Sequence, residues 1–265
     1  MRVARFASDD DDPKFGVVGE DDGVPMIAVL TGDPLYAGFH LTGQKVKVDD
    51  VRLLAPVIPR SKVVCVGKNY AAHAAEMGGE VSAEPLIFLK PNTSVIGPGE
   101  PIFYPAQSED VHFEGELAVV IGRICRDISA EDAHKVIFGY TVANDVTARD
   151  LQAKDGQWAR AKGFDTFCPL GPWIETNFDP ADKSVKTSLT SLGGSDELKQ
   201  DGRTSDMVFT VPAIVEYVSS FMTLLPGDVI LTGTPEGVGP MQVGDDVSIT
   251  IEGIGTLTNK VVSRD

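Results

Sequence analysis

Apolar residues fall in short runs along this chain, many of them alternating with polar ones and most ending at glycine, proline or an acidic turn. A two-residue period is the signature of a strand with one buried face, and a short unbroken apolar run fits a strand buried on both. On this basis residues 3–6, 15–18, 26–30, 62–66, 86–89, 139–144 and 229–232 are predicted strands. Near the C-terminus Val247, Ile249 and Ile251 alternate up to Glu252-Gly253, which predicts a hairpin with a returning strand. Helical spacing is rarer. Residues 69–77 form an alanine-rich helix closed by Gly78-Gly79, and Thr210 and Pro212 open a helix with Ile214, Val215, Val218, Phe221 and Met222 on one side. Ser129 with Asp132, and Thr147 with Asp150, have the spacing of capping boxes for two further helices, the first reaching about Phe138. Strands predominate without a regular strand–helix alternation, so the expected class is α+β, with a β-rich core and a few peripheral helices. Residues 1–58 read as a small β-rich N-terminal unit and 59–265 as the main domain, entered through the Leu53-Leu54-Ala55-Pro56 stretch. The acidic run at 9–12 lacks a calcium-loop pattern and reads as a solvated hairpin loop.

The 27 glycines and 17 prolines among 265 residues reinforce the picture of many turns. The net charge of −16 argues against nucleic acid or an anionic membrane surface as partner, since both demand a basic face. A small anionic substrate remains compatible, because a bound cation and a few basic residues reverse the field inside a cleft. Cys65, Cys125 and Cys168 are far apart and form no paired motif, and no signal or membrane-spanning segment is evident. A reducing cytoplasm is the expected setting.

The densest chemistry is Glu114-Gly115-Glu116, which leads directly into the apolar run Leu117-Ala118-Val119-Val120-Ile121. In a strand the two glutamates share a face, with Cα atoms roughly 6.5–7 Å apart. Two desolvated carboxylates side by side call for a positive charge between them, and a hard divalent cation is the natural candidate; an edge strand with a solvated acidic face is the plain alternative. Asp145, after the strand at 139–144, is a third candidate ligand, though it would equally stabilise the start of a helix. Two Glu and one Asp suit Mg²⁺ or Mn²⁺. His73 and Glu76 share a helix face and could form a general base with its orienting carboxylate, or an ordinary surface pair. Arg149 and Gln152 follow Asp145 on one helix face. Lys162 could stabilise an enolate or oxyanion beside the metal, against the base-rate reading of a surface lysine. Lys68 and Lys90 could neutralise an anionic substrate. Thr234, in the Gly-rich loop Thr232-Gly233-Thr234-Pro235-Glu236-Gly237, could hold a substrate carboxylate, or the loop is a structural turn. His112 shares the strand face of Glu114 and Glu116 and reads as a supporting neighbour or a core histidine.

Taken in order, the stretches Val66-Gly67-Lys68-Asn69-Tyr70-Ala71-Ala72-His73-Ala74-Ala75-Glu76-Met77, Leu89-Lys90-Pro91, His112-Phe113-Glu114-Gly115-Glu116-Leu117-Ala118, Asn144-Asp145-Val146-Thr147-Ala148-Arg149-Asp150-Leu151-Gln152, Ala161-Lys162 and Leu231-Thr232-Gly233-Thr234-Pro235-Glu236-Gly237 resemble the fumarylacetoacetate hydrolase family. The resemblance covers residues 60–265. It implies a β-roll-like core, a homodimer, and Mg²⁺ or Mn²⁺ (Ca²⁺ in some members) held by Glu114, Glu116 and Asp145. It further implies His73 and Glu76 as a water-activating dyad on a lid, and Lys162, Gln152 and Thr234 as substrate contacts. Larger eukaryotic members have a further aspartate ligand and a large N-terminal domain; neither is present here, so fumarylacetoacetate itself is not the expected substrate. The implied activity is hydrolysis or decarboxylation of a small 2-oxo acid, an acylpyruvate or oxaloacetate, through a pyruvate enolate. The alternatives are a 2-hydroxyhepta-2,4-diene-1,7-dioate isomerase or 5-carboxymethyl-2-oxo-hex-3-ene-1,7-dioate decarboxylase and, in a different class, a noncatalytic metal-dependent binding protein.

Overall fold

The computed structural model describes residues 1–8 and 12–263, so residues 9–11 of the acidic loop lie outside the described residues. Its backbone is organised around a sheet of twelve strands. From one edge to the other run Leu41–Lys47, Val24–Leu30, Lys14–Asp21, Arg2–Ala7, Cys168–Glu175, Ile137–Asn144, Gly115–Ile121, Val229–Leu231, Val63–Gly67 and Leu86–Lys90. Arg52–Leu54 and Val95–Ile96 join off this path. The N-terminal strands thus extend the same sheet that carries Gly115–Ile121, through the pairing of Arg2 with Glu175.

Gly115–Ile121 lies deep in the sheet and every one of its residues is buried. That accounts for its unbroken apolar sequence: both faces are covered. Leu117, Val119 and Ile121 point into the larger core, where they join Val185 and Ile249 of a second sheet. Ala118 and Val120 point the other way, toward Val63, Cys65 and Leu231. Each large aliphatic side chain so covered contributes about 1.5–3 kcal/mol of transfer free energy. The second sheet orders Asp196–Arg203, Ser184–Thr190, Asp246–Ile251, Gly255–Ser263 and Ile102–Tyr104. A small third sheet joins Thr147–Ala148, Val111–Phe113 and Gly239–Pro240. The helix Val211–Phe221 covers the larger core with Ile214, Val215 and Val218, as its periodicity requires. Phe221, expected on that face, is 48% exposed because the helix ends there.

The α+β, strand-rich architecture is the predicted one, and the differences are local. Ser129 makes no side-chain cap; it precedes a six-residue 3-10 segment, Ala130–Lys135, whose first N–H is taken by Glu216 at 3.1 Å. Thr147 caps nothing either. It sits in a two-residue strand and its hydroxyl donates to the Asp145 carbonyl at 2.9 Å, while the helix begins two residues later as Arg149–Asp155. Asp150 instead accepts from Ser108 at 2.6 Å. Thr210 makes no side-chain cap bond, although its carbonyl accepts from the Ile214 N–H. None of the described helices is long and apolar enough to cross a membrane.

Gly115 stands where the two sheets meet. A Cβ there would lie 2.4 Å from Thr187 Oγ1 and 3.1 Å from both Gln200 Oε1 and Ile249 Cγ2. Gly115→Ala is therefore expected to cost about 1–3 kcal/mol. The melting temperature should fall by roughly 2–10 °C. Gly19→Ala, at a strand position with nothing within 4 Å of an added Cβ, should stay within about 0.5 kcal/mol. Thermal unfolding of the two variants checks the difference, and equal melting temperatures would contradict the close-packing reading.

Candidate active site

The strand directions bring four chain ends to one margin of the large sheet. Gly115–Ile121 runs antiparallel to both Ile137–Asn144 and Val229–Leu231, and Val229–Leu231 runs parallel to Val63–Gly67. The beginning of the first strand and the ends of the other three therefore coincide. Glu114, Asp145, the Thr232-Gly233-Thr234 loop and Gly67-Lys68 leave the sheet at that margin.

Glu114 occupies the junction between Val111–Phe113, in the small sheet, and Gly115–Ile121, in the large one. Its N–H donates to Asn144 Oδ1 at 3.0 Å and its carbonyl accepts the Asp145 N–H at 2.9 Å. These bonds fix Glu114 and Asp145 as neighbours. Glu116, two residues on, receives the Gly233 N–H at 2.7 Å. One carboxylate oxygen from each of Glu114, Glu116 and Asp145 lies within 4.8 Å of the other two, and all three residues are buried. The two-residue spacing and the strand-end aspartate thus converge in space.

Three buried cations face them. Lys162 Nζ bridges Glu114 Oε2 at 2.8 Å and Asp145 Oδ2 at 2.6 Å. Lys90 Nζ contacts Asp145 Oδ1 at 2.6 Å, and Arg149 Nη2 lies 2.5 Å from Glu114 Oε1. Burial alone would push the Glu114 carboxyl up, but Lys162 and Arg149 outweigh it and hold this group below the usual carboxylate range. Burial would also lower the Lys162 ammonium; Asp145 and Glu114 reverse that and keep it charged. Glu116 is different. Burial, then Asp145 and Glu114, push it well above the usual range. Among the described residues no cation lies within 4 Å of its carboxylate. A buried carboxylate without a counter-charge is costly, and this oxygen-only donor set fits a hard divalent cation such as Mg²⁺, Mn²⁺ or Ca²⁺.

A cavity of about 100 Å³ opens over this floor. Lys68, His73, Arg149, Gln152, Lys162 and Thr234 line it, together with an apolar wall of Val66, Met77, Phe88 and Trp158. His73 is buried on the short helix Ala71–Glu76, and its Nδ1 lies 3.2 Å from Glu76 Oε2. Glu76 points away from the cavity: its other oxygen accepts the Gly237 N–H at 3.0 Å. Lys90 does not line the cavity; it backs Asp145 from behind. His112 is turned outward to Asp110 at 2.9 Å, and burial together with Arg149 lowers its basicity. The Thr234 hydroxyl is already engaged, donating to the Gly115 carbonyl at 2.9 Å and accepting from Gln200 Nε2 at 2.8 Å. Gln152 accepts from Arg149 Nη1 at 3.0 Å.

Several supporting residues were not visible as such in the sequence. Gln200 saturates its amide by accepting from the Gly115 N–H and Thr187 and donating to Thr234 and the Pro235 carbonyl, so it clamps the acidic junction to the Gly-rich loop. Asn69 does the same for the segment before the helix Ala71–Glu76, donating to the carbonyls of Thr232 and Phe209 and accepting the Phe209 N–H. Phe88 and Trp158 pack edge to face, and the Lys162 ammonium stands 5.0 Å from the Phe88 ring centre.

Residues 62–262 match the fumarylacetoacetate (FAA) hydrolase C-terminal family, and residues 1–56 match a domain described as Rv2993c-like, N-terminal. A crystal structure of 5-carboxymethyl-2-hydroxymuconate delta-isomerase from Mycobacterium smegmatis is 52% identical, covers all of both chains and superposes with a TM-score of 0.90. The human protein named oxaloacetate tautomerase FAHD2A, mitochondrial, is 45% identical over 222 residues, which is 80% of this chain and 70% of the relative. The maleylpyruvate hydrolase of Sphingobium sp. SYK-6, in complex with manganese(II) and pyruvate, is 32% identical over the full length of both chains with a TM-score of 0.80. These relatives are named as an isomerase, a tautomerase and a hydrolase of small organic acids. The acidic junction, the helix Ala71–Glu76 and the Gly-rich loop lie within the matched region, and this chain belongs to the fumarylacetoacetate hydrolase family.

Proposed function

We propose that the protein is a divalent-metal-dependent enzyme that forms the enolate of a small 2-oxo acid, oxaloacetate or an acylpyruvate, and cleaves its C3–C4 bond by decarboxylation or hydrolysis. The observation that carries this reading is the buried cage of three carboxylates set against three buried cations. Lys90, Lys162 and Arg149 pair with Glu114 and Asp145, and Glu116 is left without a cation of its own among the described residues. A divalent ion held there, with the Lys68 ammonium on the cavity wall, would leave the site net positive and suited to an anionic 2-oxo acid. The modest cavity supports the same reading, since about 100 Å³ is well below the roughly 300–1,000 Å³ of sites for drug-sized ligands.

In this proposal Glu114, Glu116 and Asp145 hold Mg²⁺ or Mn²⁺, with Ca²⁺ also suited to the donor set. The ion supplies Lewis-acid stabilisation of the developing enolate oxygen. Lys162, charged and aimed at the same point, adds electrostatic stabilisation. Arg149 and Gln152 orient the substrate from the helix that begins after Asp145. His73, held by Glu76, takes a proton from water for hydrolysis of an acylpyruvate. Decarboxylation needs no nucleophile, so there the dyad positions substrate and returns a proton to carbon. Tautomerisation of oxaloacetate, the activity in the human relative's name, needs only the enolate and a proton carrier. The name of the mycobacterial relative favours a second reading, isomerisation of a longer diene-dioate; the same ion and base would suffice, but the cavity would have to widen by movement of the lid helix.

Two outcomes are expected. Glu116→Gln should weaken Mn²⁺ binding by roughly 100-fold, measured by calorimetry, whereas Glu76→Gln should change it by less than about threefold. Unchanged affinity in the Glu116 variant would remove the metal cage from the proposal. His73→Ala should reduce acetylpyruvate hydrolysis by about 10²–10⁴-fold while oxaloacetate decarboxylation falls by less than about tenfold. Pyruvate release followed with both substrates reads this, and an equal loss would contradict the assigned role of the dyad.

A further inference from the structure

The cations around the cavity are not equivalent. Lys162 is committed to Glu114 and Asp145, and Arg149 to Glu114 and Gln152. Lys68 lines the same cavity, yet among the described residues its ammonium has no hydrogen-bond or ion-pair partner. It belongs to a different segment from the acidic floor, lying directly after Val63–Gly67 and before the lid helix.

Its backbone is unusual. Lys68 has φ of +55°, one of four described non-glycine residues with positive φ. This left-handed conformation is strained for a lysine, and such strain clusters at active sites and ligand clamps. Packing borders it on both sides. A Cβ on Gly67 would meet the Trp158 ring at 2.7 Å, so the chain before Lys68 is pressed against the cavity wall. A Cβ on Gly79 would meet Lys68 Nζ at 2.5 Å, so the ammonium lies beside the turn that follows the helix Ala71–Glu76. The lysine thus has a left-handed backbone, an ammonium beside the turn after the helix Ala71–Glu76 and no partner, and it shares the cavity lining with the apolar Val66, Met77, Phe88 and Trp158.

We propose that Lys68 is a specificity-determining residue that binds the second carboxylate of a dicarboxylic 2-oxo acid, and so sets the preference for oxaloacetate over an acylpyruvate. The inference rests on the proposed function, in which the 2-oxo-carboxylate end of the substrate lies over the acidic floor. The two substrates are nearly isosteric. They share that end and differ in whether the far end is a carboxylate or an acetyl group, so an unpaired cation at the rim discriminates between them through one charge-assisted hydrogen bond. The competing structural role is that Lys68 merely complements the C-terminal end of the lid helix, which would affect stability without distinguishing substrates.

The test is steady-state kinetics and calorimetric binding of oxaloacetate and acetylpyruvate to the manganese-loaded protein and to Lys68→Met, Lys68→Arg and Lys68→Gly. Lys68→Met should lower the oxaloacetate-to-acetylpyruvate ratio of kcat/KM by about tenfold or more, chiefly through KM for oxaloacetate, and Lys68→Arg should restore most of the ratio. Lys68→Gly should lower the ratio like Lys68→Met although it relieves the backbone, which separates the ammonium from the conformation. A ratio unchanged in Lys68→Met and Lys68→Gly overturns this inference and leaves the proposed function standing. If the unsubstituted manganese-loaded protein neither binds nor turns over either compound, the proposed function fails and this inference with it.

Discussion

The burial of three carboxylates at one point constrains everything around it. Glu114, Glu116 and Asp145 are taken out of water together, and a lone ionised carboxylate so treated costs several kcal/mol before any attraction is counted. The protein meets this cost with cations from three other places in the chain. Lys90 comes from the edge strand, Lys162 from the four-residue helix Ala159–Lys162, and Arg149 from the first turn after Asp145. Removing one of these cations would leave a buried negative charge uncompensated. Glu114 and Asp145 each meet two of these cations, whereas Glu116 meets none among the described residues, which leaves Glu116 as the member that most needs a further positive charge.

Neutral hydrogen bonds hold the cage in register. Gln200, Asn144 and Asn69 come from three separate segments; the first two hold the acidic junction and the third ties the start of the helix Ala71–Glu76 to the Gly-rich loop. Buried amides are useful here because they can satisfy both donors and acceptors without altering the charge balance. Glu76 extends this network into the helix Ala71–Glu76: one oxygen meets His73 and the other the Gly237 N–H, so the histidine and the loop beside Thr234 are oriented by the same carboxylate.

The sequence revealed the acidic cage more readily than its surroundings, for physical reasons. A two-residue spacing of glutamates before a β-branched run survives translation into structure because a strand has only one geometry to offer. The strand Cys168–Glu175 is hard to see in the sequence because two prolines and a glycine interrupt its apolar pattern, although it lies at the centre of the sheet. The hairpin Ser184–Thr190 and Asp196–Arg203 is hidden by polar residues, and Gln200 with it, since nothing in a sequence tells a buried glutamine from a solvated one. Phe88 and Trp158 carry no sequence pattern that marks them as cavity wall. Lys68 and Lys90 look alike in sequence, yet tertiary packing buries one behind Asp145 and leaves the other on the cavity wall.

The left-handed backbone at Lys68 also bears on how this site tolerates sequence change. Glycine, asparagine and aspartate adopt that conformation most easily, and none of them is positively charged. The exchanges that would relax the chain at this position are therefore the ones that discard the ammonium. A lysine here is held against its own conformational gradient, and the acidic floor, built on other strands, would be untouched by its loss.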